Sequence, residues 1–184
     1  MDDMLKTGIW KQFGASIDYL AATIAACPNK LWHASLWDHA EEIPQFSQFW
    51  YRAYHTLFWL DCYLYGTEDG FLPPAPFELI EQDDDGPLPD RPYTKEELLV
   101  YAAASREKCR TTIDGLTDEA ARRLHWFPWG EVTFFELLIY NLRHVQEHSA
   151  QMNLLLGQNV GRSPDYPTRI RDEGLGEERS SSRP

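Results

Sequence analysis

The stretch TFFELLIYNLRHVQEHSAQMNLLLG, Thr133 to Gly157, decides the fold. It predicts one long helix. Thr133 followed three residues later by Glu136 makes a capping box, and Gly157 supplies a stop. At about 100° per residue, Leu137, Asn141, His144, His148, Gln151 and Leu155 fall in one narrow stripe. Phe134, Leu138, Val145 and Met152 widen it. The stripe is apolar at both ends, so it faces a core, with two histidines in its middle. Imidazoles four residues apart on a helix have Cβ atoms about 5–6 Å apart, close enough for both to bind one metal ion. Burying two imidazoles and the amides of Asn141 and Gln151 without partners would cost on the order of a few kcal/mol. Two readings meet that demand: a hydrogen-bonded polar core, or a metal.

Working outward, Met4 to Ala26 predicts a first helix with Trp10, Phe13, Ile17, Leu20 and Ile24 on its inner face. Leu31 to Ile43 reads as a connector. Pro44 suits the first turn of a second helix that runs to Tyr65 and stops at Gly66. His55 lies near its midpoint, and Gln48, Tyr51, Arg52, Trp59 and Cys62 share its face. Thr94 and Glu97 form another capping box, opening a third helix to Ile113 with Leu98, Tyr101, Ser105 and Cys109 inward. Thr117 to Leu124 predicts a short helix, and Phe127 to Gly130 a turn. No convincing strand pattern and no internal repeat is present. Four long helical patterns therefore predict an all-α chain, a four-helix bundle with a long crossover loop between helices two and three. That loop, Gly66 to Pro92, holds six of the twelve prolines and the acid run EQDDDGPLPD, Glu81 to Asp90. Such a run usually reads as a solvated loop, although a loop of this length is often functional. Residues 1–160 form the expected domain, and 161–184 a polar tail, disordered or laid over the surface.

Composition narrows the function classes. A net charge of −12 argues against nucleic acid and against an anionic membrane surface. No apolar run reaches the ~20 residues that a membrane span needs, and no leader pattern opens the chain. The expectation is a soluble, cytoplasmic protein acting on a small molecule. Cys27, Cys62 and Cys109 are far apart and read as separate thiols in a reducing compartment. The 25 aromatic residues (seven Trp, nine Tyr, nine Phe) read first as core packing and second as an aromatic pocket. There is no phosphate-binding glycine loop, nucleophile elbow or CxxC pair.

Bundles build metal sites from side chains on facing helices. His55 is the one histidine in another firmly helical segment, and three histidines would leave open positions on an ion, as catalytic centres do. His33, His39 and His125 lie in connectors. His144 to His148 also matches HxxEH, with Glu147 as the general base of a metalloprotease. The polar tail leaves little room for the further ligand that such an enzyme needs, and Glu147 sits at the edge of the inward stripe.

Three segments carry a family resemblance: HTLFWLDCYL from His55, YTKEELLVY from Tyr93, and GEVTFFELLIYNLRHVQEHSAQMNLLLG from Gly130. In order and spacing the chain resembles the DinB/YfiT-like superfamily. The resemblance implies a four-helix bundle with a three-histidine site for nickel, zinc or iron, here His55, His144 and His148, and a homodimer. It also implies a metal-dependent enzyme, a thiol-dependent transferase or a hydrolase, with a low-molecular-weight thiol as possible co-substrate. The alternative is a non-catalytic, stress-related dimeric bundle. Asn141, Glu147 and Gln151 are candidates to orient the imidazoles. Tyr51 and Trp59, one turn either side of His55, are candidates to line a pocket.

Overall fold

The computed structural model describes residues 1–37, 44–83 and 88–170. His39 and part of the acid run, together with the tail beyond 170, lie outside the described residues. The first helix, α1, spans Asp3–Ala26. The Asp2 carboxylate caps it by accepting from the Met4 amide at 2.8 Å. Phe13, Ile17, Leu20 and Ile24 are buried, as the three- and four-residue spacing requires.

The second helix, α2, spans Phe49–Tyr65, and Pro44 does not open it. Pro44–Ser47 is a separate 3-10 turn. The reason is pairing with the preceding connector. Leu36 N donates to the Ser47 carbonyl at 2.8 Å, and Phe49 N donates to the Ala34 carbonyl at 3.0 Å. These bonds hold Gln48 extended, so the helix starts after it. Gly66 ends α2 in the left-handed conformation, at φ 95°.

The third helix, α3, spans Lys95–Asp114 and carries both bonds of the expected capping box. Leu98, Tyr101, Ser105 and Cys109 are all buried. The short helix α4 spans Asp118–Arg122. A hairpin follows that the sequence pattern did not predict: β1, Leu124–Phe127, pairs antiparallel with β2, Gly130–Thr133. Its two-residue connection, Pro128–Trp129, leads into Gly130 at φ 144°, a backbone that favours glycine. Strands of four residues are too short to show a period. The last helix, α5, spans Phe134–Val160 and runs straight through Gly157. The left-handed stop is Gly161, at φ 72°, whose N–H donates to the Gly157 carbonyl.

The chain is mostly helical, and its packing follows the apolar faces. α1 packs on α3 and α5, and α2 packs on the same two helices. α2 and α5 are therefore neighbours, the condition for His55 to meet the α5 histidines. The large rings are chiefly core: Phe13, Phe49, Tyr54, Phe58, Tyr101 and Phe127 are fully buried. Residues 162–170 lie along α1. Ile170 N donates to the Lys11 carbonyl at 3.1 Å, and the Ile170 side chain fills the space over Gly14. Among the described residues, no helix is long and apolar enough to cross a membrane.

Candidate metal centre

α2 contributes His55 and α5 contributes His144 and His148. The three rings converge. His55 Nε2 and His144 Nε2 are 3.3 Å apart. Ring centroids lie 5.3 Å apart for His55 and His144, 5.0 Å for His55 and His148, and 4.6 Å for the α5 pair. One nitrogen from each ring lies within 4.8 Å of the others. Three imidazoles on a metal at about 2.0–2.1 Å in tetrahedral array would place their nitrogens about 3.3 Å apart. The cluster already has that spacing between its first two members.

The outer nitrogens of two rings are committed. His148 Nδ1 faces Gln151 Oε1 at 2.8 Å, and His55 Nδ1 faces Glu81 Oε2 at 2.7 Å. Both partners are acceptors, so each Nδ1 carries a proton, and in the neutral ring each Nε2 presents a lone pair. His144 Nδ1 is buried and has no hydrogen-bond partner. If His144 protonates Nε2 to bond His55, its Nδ1 lone pair stays buried and unmatched. If it protonates Nδ1, two lone pairs oppose each other. A cation between the Nε2 atoms removes the second conflict, so these residues fit a divalent metal.

Burial sets the protonation states. The His144 pKa is pushed well below its ordinary value, first by burial and then by the neighbouring charges of His55, His148 and Arg52. That of His148 is lowered to about 4, chiefly by burial, with the His55 charge adding to it. Neutral imidazole is the form that binds metals.

Glu81 is the residue that sequence reasoning missed. Its carboxylate is buried, although it opens the acid run. Burial alone would raise its pKa. Attraction to His55 and hydrogen bonds from His55, Tyr51 and Trp59 outweigh that and hold it below the ordinary carboxylate value. Trp59 Nε1 donates to Oε2 at 2.9 Å. Tyr51 and Trp59, expected as pocket walls, thus meet at this carboxylate. One signal was available: Tyr51 and Trp59 flank His55 at four-residue steps and present donors that need an acceptor.

The other candidates fall differently. Gln151 lies against His148 Nδ1, at 2.8 Å. Asn141 instead donates through Nδ2 to the Leu60 carbonyl at 3.0 Å. Glu147 is exposed. His33 is exposed, and His125 Nδ1 is 2.6 Å from the Gly66 carbonyl, tying the hairpin to the end of α2. The three cysteines are free and buried. Burial pushes the Cys27 and Cys62 thiols up to about 12, and Cys109 upward as well. None of the three is a ready thiolate near neutral pH.

No curated protein matches the chain. A family model described as the DinB superfamily matches residues 12–152 of the 184. That span includes all three histidines and the helices that carry them, and the chain belongs to the DinB superfamily.

Proposed function

We propose that His55, His144 and His148 hold one divalent ion (nickel, zinc or iron) and that the protein is a metal-dependent enzyme acting on a small molecule. The carrying observation is the 3.3 Å approach of His55 Nε2 to His144 Nε2 in a cluster whose outer nitrogens already have partners on two rings. The four mutually packed long helices read as a four-helix bundle, with residues 66–92 as the crossover. Residues 1–160 then form the domain, with 161–184 as an appended segment.

A divalent ion in such a site lowers the pKa of a coordinated water or thiol, so that a nucleophile forms near neutral pH. The chain's own part is positional. Gln151 and Glu81 hold the His148 and His55 rings with Nε2 inward, and burial favours the neutral form of His144 and His148. The reaction proposed is transfer of a low-molecular-weight thiol to an electrophile, or a hydrolysis. The high thiol pKa values of Cys27 and Cys62 favour an external thiol over a protein nucleophile. Glu147 is exposed and lies outside the three-histidine cluster, which lends no support to a peptidase of HxxEH type.

The depth of His144, whose Nδ1 is shielded from solvent, favours a second reading in which the ion is structural and the bundle non-catalytic. Cobalt substitution separates the two. For the enzyme, adding a small thiol shifts the visible cobalt spectrum with saturable dependence. A spectrum indifferent to thiols, azide and cyanide assigns the ion a structural role.

The reading extends to the surroundings. The charge of −12 supports a small-molecule partner over nucleic acid or an anionic membrane, and three free cysteines support the cytoplasm. Family membership supports a homodimer. Light scattering then gives twice the 21.4 kDa of the chain, and a value of one chain refutes the dimer.

A further inference from the structure

We infer that Glu81 is a positioning residue for the metal centre, fixing His55 with its proton on Nδ1 and making the Ile80–Gln82 turn part of the site. This rests on the metal reading of the three histidines.

Tyr51, His55 and Trp59 are spaced by four on α2, so their side chains project from one face in successive turns. All three meet one carboxylate. Glu81 Oε2 lies 2.7 Å from His55 Nδ1 and 2.9 Å from Trp59 Nε1, and Tyr51 bonds the same group. Only 6% of the Glu81 side chain is exposed. A buried carboxylate is costly unless donors surround it, and a packed apolar residue would stabilise the loop as well or better. The ring donors instead gather on Oε2, which faces both His55 Nδ1 and Trp59 Nε1, while Oε1 is buried without a hydrogen-bond partner. A carboxylate cannot donate, so the nitrogen facing it keeps its proton, and the neutral form of His55, the one that binds a metal, then carries its lone pair on Nε2, towards His144. Hydrogen bonding of this kind also raises the basicity of the ligand. Glu81 further supplies a negative charge to a centre whose three proposed ligands are neutral.

The turn that delivers Glu81 is itself held. Ile80–Gln82 forms a single 3-10 turn. Before it, Phe77 stacks on Tyr101 at 4.4 Å, Tyr54 Oη donates to the Glu78 carbonyl at 2.7 Å, and Glu78 N donates to Tyr93 Oη at 3.2 Å. After it, Gln82 Nε2 lies 3.8 Å from Cys62 Sγ. Both anchors return to α2 or to α3 and its N-terminal approach, so the carboxylate is fixed relative to His55 and not merely near it.

The test uses the full chain, with Glu81→Gln and Glu81→Leu, zinc as the probe, and two readouts. One is the zinc dissociation constant by chelator competition. The other is the ring ¹⁵N shifts of His55 in the metal-free protein, which report its tautomer. Glu81→Leu should weaken zinc about 10–100-fold and release His55 from the Nδ1–H form. Glu81→Gln keeps an acceptor oxygen and the side-chain shape, so it serves as the second variant should Glu81→Leu fail to fold, and its zinc affinity should fall between those of the wild type and Glu81→Leu. A glutamate that only stabilised the loop would lower the melting temperature and leave both readouts unmoved. Tight zinc binding by the wild type, with affinity and tautomer unchanged in both variants, overturns the role of Glu81 alone. Failure of the wild type to bind zinc, nickel or iron overturns the metal reading, and this role with it.

Discussion

Replacing His144 with alanine is expected to remove stoichiometric divalent metal from protein purified without a metal-affinity tag. His144 is the hinge of the cluster, 3.3 Å from His55 Nε2 and one helical turn from His148. Deleting it leaves two ligands on different helices. The loss of affinity should exceed the ~10–100-fold that follows removal of a residue that only orients a ligand. Stability provides a second measurement. An ion that binds only the native state, present at about a hundred times its dissociation constant, adds about 2.7 kcal/mol. Zinc should therefore raise the melting temperature of the wild type and leave that of the variant unchanged. In the metal-free state the substitution removes the buried, unpartnered Nδ1, which offsets part of the usual cost of a cavity. Wild-type protein without stoichiometric metal, or a variant that retains it, would sink the three-histidine site.

The metal-free protein should also lose stability steeply in mild acid. His148 titrates at about 4 in the native state and His144 well below its ordinary value, whereas both titrate near 6.5 when unfolded. Between those limits the unfolded chain binds more protons than the native one, so unfolding free energy falls as pH falls. For His148 alone, the descent from 6.5 to about 4 amounts to roughly 3 kcal/mol, and His144 acts in the same direction. Glu81 acts lower down. Its depressed pKa stabilises the fold above the unfolded carboxyl value, and that contribution is lost as pH falls through the folded value. Against a total stability of about 5–15 kcal/mol these are large terms. Denaturant titrations with a chelator at pH 7 and pH 5 measure the histidine part, of which His148 supplies about 2 kcal/mol over that interval. His148→Gln should flatten the slope over that interval. A wild-type stability that does not change between those pH values would mean that the imidazoles are solvated.

Much of this centre was legible in the residues. Leu137 and Leu155 bracket His144 and His148 at one helical angle, so burial of the pair followed from periodicity. His55 followed from its place at the midpoint of the second helix and from the family resemblance. Glu81 was hidden because it opens a run with three aspartates two to four residues on, and the segment reads as solvated. Phe77 and Tyr93, packed over Tyr54, help to bring that turn inward, and contacts across 23 or more residues leave no local signature. Gly157 was read as a stop from its identity. The helix bears the ~1 kcal/mol cost of an internal glycine and continues to Val160, where Gly161 takes the left-handed turn. Pro44 misled in the opposite sense, because pairing of Ala34 and Leu36 with residues 47–49 delays the helix.

Asn141 does not touch an imidazole, yet it decides whether the imidazoles can meet. Its amide reaches the carbonyl of Leu60 across the α2–α5 seam, one turn from the cluster. Sliding α5 along α2 by a single turn, about 5.4 Å, would strand that amide among apolar side chains. A buried asparagine between helices thus acts as a vernier mark: it makes one alignment of the pair far better than its neighbours. At that alignment, and at no other, His144 comes level with His55.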